Sequence, residues 1–116
     1  MNDSILNTIK KMLGLDESDN SFDIDIITHI NNAFSTLRQL GVGPSSGFVI
    51  EDETATWDDY LTSIIPLTSV KTYIYLKVRK VFDPPQNSTV MDSINQSISE
   101  CEWRLNVDVD TEYETE

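Results

Sequence analysis

The apolar positions of this chain fall mostly on a three- and four-residue spacing. Ile5, Ile9, Met12 and Leu13 share one helical face, with Ser4 or Asp3 placed to cap it and Gly14 to end it, so residues 4–13 read as a short helix. After a polar loop, DESDNS at 16–21, a longer stripe begins. Ile26, Ile27, Ile30, Ala33, Phe34, Leu37 and Leu40 keep helical spacing, Asp19 or Ser21 is available as cap, and Gly41 stops the run. Burial of such a stripe contributes about 1.5–3 kcal/mol per large side chain, so this helix should supply much of the core. Three glycines and a proline in GVGPSSG, 41–47, demand a turn. The next four, Phe48, Val49, Ile50 and Glu51, look like a short strand or an extended segment. Thr56 and Asp59 resemble a capping box ahead of a short turn around Trp57–Leu61.

The stretch from Leu67 to Pro85, LTSVKTYIYLKVRKVFDPP, has the sharpest boundaries, with Pro66 before it and Pro84-Pro85 after it. Leu67, Val70, Ile74, Val78, Val81 and Phe82 follow helical spacing, whereas Ile74, Leu76 and Val78 alternate with Tyr73, Tyr75, Lys77 and Arg79 as a strand would. Some 16 uninterrupted residues is long for a strand and ordinary for a helix, which decides for a central helix. A rigid connection, DPPQNST at 83–89, leads to a last helix from about Ser88 to Leu105. Its seam, Met91, Ile94, Ile98, Cys101 and Leu105, is narrow. The tail NVDVDTEYETE has five acids and no base, which predicts disorder in the free protein. Its Val107, Val109, Thr111 and Tyr113 alternate with acids, a period that suits strand addition to a partner sheet. The expected fold is therefore mainly α: a small bundle of four main helices, a short extended or β segment around 47–53, and a flexible acidic C-terminal tail. The division is one helical domain, 1–105, and a tail, 106–116. The 41–59 region is expected to rearrange most readily, since glycine freedom meets few apolar anchors.

Charge changes the picture more than length does. The chain has 116 residues, 20 acids and 8 bases, for a net charge of −12. That balance disfavours DNA binding through phosphate contacts, which needs a basic footprint. It leaves solubility, engagement of basic partner surfaces, or the lining of a passage for a polyanion. Four of the bases, Lys71, Lys77, Arg79 and Lys80, lie on the central helix and are read as a basic face turned to something acidic. No run of about 18 apolar residues predicts a membrane span, and no signal peptide is expected. The single Cys101 excludes an internal disulfide framework and reads as a small residue on the apolar seam.

Candidate chemistry is sparse. His29 follows Asp25 by four residues and reads as a helix-surface pair. One His and one Cys do not make the usual zinc arrangements, and the acidic clusters lack the calcium-loop pattern. Neither a phosphate-binding glycine loop nor a Gly-x-Ser-x-Gly elbow occurs. No catalytic residue, metal or cofactor is expected. Trp57 and Trp103 matter for contact: Trp57 reads first as core, Trp103 equally as core cap or interface residue.

The segments QLGVGP (39–44), YIYLKVRKVFDPP (73–85) and ECEWRLN (100–106), in this order, resemble the small head–tail adaptor, or connector, proteins of long-tailed bacteriophages and prophages of Gram-positive bacteria. The resemblance spans roughly residues 5–106 and carries no active-site residue. It implies a structural protein of the virion neck, made in the host bacterial cytoplasm. Its partners would be the portal protein, the next neck or tail component and itself, in a twelve-subunit ring under the portal that extends the DNA channel. DNA would pass through without specific binding. On that basis Val107, Asp108, Val109, Asp110, Thr111, Glu112 and Tyr113 are the candidate portal contacts. Lys71, Lys77, Arg79, Lys80, Trp103 and Arg104 are the candidate subunit interface, because side-by-side ring contacts need two different, complementary faces. The alternatives are another neck or tail-completion component, or a small acidic regulator or DNA mimic that binds a basic partner.

Overall fold

The computed structural model describes residues 3–60 and 67–114, with side chains as far as Asp110. Five helices follow in order: α1 (Ile5–Met12), α2 (Asp23–Gln39), α3 (Trp57–Tyr60), α4 (Leu67–Phe82) and α5 (Ser88–Glu114). The fold is mainly α, as the spacing predicts.

Local sequence explains most boundaries. The Ser4 side chain accepts from the Asn7 N–H and caps α1. Neither Asp19 nor Ser21 caps α2: Phe22 takes that position with no side-chain hydrogen bond. Asp23 and Asp25 in its first turn instead place negative charge beside the exposed N–H groups. The Thr56 N–H and hydroxyl both donate to the Asp59 carboxylate, so the reaching-back half of the capping box forms at α3. Leu61, the predicted end of that turn, lies outside the described residues. At α5 the Asn87 carboxamide accepts from the Thr89 N–H at 2.8 Å and stands as cap, while Pro84 and Pro85 cannot continue α4.

The core runs between α1, α2 and α4, with α5 laid along α4. Ile5, Ile9, Ile26, Ile30, Leu37, Val70, Tyr73, Ile74 and Val78 are fully enclosed. Trp57 is also enclosed, and its indole N–H donates to the Thr8 hydroxyl at 3.1 Å, so a single aromatic ties α3 to α1. One charge is buried with them. Lys10 Nζ lies 3.0 Å from Asp23 Oδ1 and donates to the Glu17 carbonyl, which fixes α1 against the start of α2.

Two expectations are corrected. Of the extended or β readings of 47–53 the β one is not taken up; among the described residues β pairing is confined to the bridge between Ser4 and Thr56. The segment is nonetheless well anchored: the Asn31 carboxamide bonds both the N–H and the carbonyl of Ile50, and Phe48 packs edge-on to Phe34. Glycine content alone hides those anchors. Secondly, α5 does not end at Leu105. It continues through the segment read as a flexible tail, to Glu114, because no residue after Leu105 stops a helix and Val109 finds a buried seat against Gly41.

Candidate functional site

The central helix carries the predicted basic residues, but not on one face. At about 100° per residue, Lys77 lies about 240° around the helix from Lys71. Lys71 Nζ sits 5.4 Å from the centroid of the Trp57 ring and Lys77 Nζ 5.9 Å from that of Tyr73, within cation–π range. Arg79 donates to the Tyr75 hydroxyl at 3.3 Å, and Lys80 is exposed elsewhere. What does line up is Lys71, Tyr75 and Arg79, at i, i+4 and i+8. Two of the four bases and an aromatic residue form a stripe whose side chains are partly held in place. Spacing places the three residues on one stripe, whereas the bond from Arg79 to the Tyr75 hydroxyl is visible only in three dimensions.

Beside the stripe, α4 and α5 leave a groove of about 290 Å³ lined by Thr72, Leu76, Ser97, Glu100, Cys101 and Arg104. Cys101 is among its lining residues, half-buried against the core, and burial pushes its thiol pKa up. Arg104 pairs with Glu100 at 2.7 Å on the rim, in solvent. Across the helix pair the Tyr73 hydroxyl donates to Glu102 at 2.7 Å; burial, and then this acceptor, push the phenol pKa up. The groove depends on the register of α4 against α5 and was not legible in either helix alone.

Trp103 is 67% exposed, so it is not a core cap. Glu100 precedes it by three residues and Asp110 follows by seven, both on the same side of α5. Of the candidate portal contacts, Val109 is buried and Asp108 half-buried, while Asp110 is exposed. Thr111, Glu112 and Tyr113 continue the α5 backbone, and their side chains lie outside the described residues. Among the described residues no group of three or more His, Cys, Asp and Glu is placed to hold a metal ion, and no helix is long and apolar enough to cross a membrane.

The protein is a small helical bundle whose last two helices keep charged, partly apolar outer faces. The chain matches the family described as phage connector protein over residues 5–112, and it belongs to that family. Its role is thus that of a structural component of the phage neck. No curated protein and no solved structure matches the chain.

Proposed function

We propose that this connector is the head–tail adaptor of the virion neck: a twelve-subunit ring beneath the portal that extends the DNA channel and docks the next neck or tail component. The observation that carries this reading is the family membership across nearly the whole bundle, on a chain with 20 acids and 8 bases. Repeated around a ring, such a charge excess repels a passing DNA backbone and discourages adhesion. Subunit contacts draw on the candidate interface residues, and the portal contact on 107–113. For that segment to add as a strand, the end of α5 must unwind and Val109 must leave its seat beside Gly41. That exposure costs about 1.5–3 kcal/mol, a sum that new main-chain hydrogen bonds to a sheet edge would offset.

The test is binding to assembled portal by the full chain, by a version ending at Asp110 and by one ending at Asn106. The full chain should bind and the Asn106 version should not. The Asp110 version retains Val109 and so separates loss of contact from loss of packing. Equal binding by all three would move the portal contact to the helical body. Failure of the full chain to bind correctly assembled portal would refute the adaptor reading.

A further inference from the structure

In a chain of net charge −12, one outer face is locally basic. Lys71, Tyr75 and Arg79 run along α4, and Arg104 stands across the groove on α5, with Glu100 the carboxylate on that rim. The groove between them is apolar at Leu76 and Cys101. The stripe is also pre-ordered, since Lys71 rests on Trp57 and Arg79 on Tyr75. Less entropy is then lost when it meets a partner.

The complement of this face is present on the same molecule. Trp103 projects from α5 with two-thirds of its surface exposed, between Glu100 and Asp110. Glu100 is already paired with Arg104 on the groove rim, so the acid left on the tryptophan's side is Asp110; it suits the bases Lys71 and Arg79 beside the groove, and large exposed aromatics are the usual anchors of protein interfaces. The tryptophan and the groove are distinct patches that adjoin at Glu100, so their pairing is heterologous: each copy offers its groove to one neighbour and its tryptophan to the other. We infer that the contact between adjacent copies seats Trp103 of one copy in the α4–α5 groove of the next, under the Lys71–Tyr75–Arg79 stripe. This inference rests on the ring reading and gives that ring its direction.

Cys101 in the groove lining reports the contact through its alkylation rate. With wild-type protein assembled on portal, alkylation by a small neutral reagent should slow about tenfold or more relative to free protein, as for other sites closed by an interface. Two variants then separate the faces. W103E loses the anchor and keeps the groove; T72E/R79E blocks the groove and keeps the anchor. Each alone should leave Cys101 as reactive as in free protein. In an equal mixture, with one variant isotopically heavy, Cys101 of the W103E copies should become protected while that of the T72E/R79E copies stays reactive. Protection of W103E alone would mean that portal, not a second copy, covers the groove, and would overturn the inference. So would full reactivity in portal-bound wild type. If wild type fails to bind portal, the adaptor reading fails by itself. The same mixture is then measured in concentrated free protein, where absence of protection in trans overturns the contact.

Discussion

α4 and α5 lie side by side and are built on opposite terms. α4 spends 16 residues and encloses Val70, Tyr73, Ile74 and Val78 completely. It packs against α1, α2 and α5 at once. α5 spends 27 residues, and its deepest side chains, Ile94, Ile98, Leu105 and Val109, form one thin seam. It packs mainly on α4 and leaves Trp103 in solvent. A helix surrounded on three sides holds the fold together and keeps only its outward strip for other molecules. One with a single partner contributes less stability and keeps most of its circumference for other molecules. The difference assigns most of the stability to α4, which keeps one outward strip at Lys71, Tyr75 and Arg79, and leaves most of α5 uncovered.

Mutation at the two helices tests that assignment directly. Ile74→Ala opens a cavity in a fully enclosed site and should cost about 2–5 kcal/mol in urea unfolding. The loop after α2 provides the next contrast, because two of its glycines face the two sides. Gly43 has φ +85°, and a Cβ there would come within 2.6 Å of the Tyr60 ring, so Gly43→Ala should cost about 2–3 kcal/mol. Gly41 has φ +88°, and its Cβ would meet Val109 at 3.1 Å, a side chain on a helix that can yield. Gly41→Ala should cost about 1 kcal/mol and accelerate amide exchange in 106–110, at the edge of the core.

The alkaline limb of stability supplies a smaller effect. Burial pushes the Tyr60 and Tyr73 phenols well above the ordinary value of 10.0. The folded state therefore keeps protons that the unfolded chain releases, so their contribution is intact below about pH 10 and falls as pH rises further. Y60F should flatten that fall with little change at pH 7, since the Tyr60 hydroxyl has no hydrogen-bond partner among the described residues. Y73F should flatten it too, but lose about 1.5–3 kcal/mol at pH 7 with the bond to Glu102. Last comes Trp103→Ala, expected within about 0.5 kcal/mol of wild type. A cost equal to that of Ile74→Ala would break the comparison and return Trp103 to the core.

Much of the helical layout was legible because period and punctuation agree: Ser4 before α1, Gly41 after α2, two prolines after α4. At the beginning of α2 the sequence offers Asp19 and Ser21 as caps, and neither serves. Asp19 instead turns its carboxylate to the Ser21 N–H, a local bond that closes the loop before the helix. The end of α5 is hidden from the sequence for a different reason. Alternating valines and acids satisfy a strand, a disordered tail or a helix equally well at short range. The seat that Gly41 gives Val109 lies 68 positions away in sequence. Trp103 shows the same limit, since its residue type fits a core cap or a contact residue, and only the packing leaves it outside.

By itself the sequence determined the helical class, the order of the helices, the acid excess and the kinship to phage connectors. Each depends on residue types at short spacing, or on an ordered set of segments. The tertiary structure decided which bases share a face, how far α5 runs, and that a groove opens beside Leu76 and Cys101. Those depend on the register of one helix against another, and register is set by side chains distant in sequence meeting in a single packed arrangement.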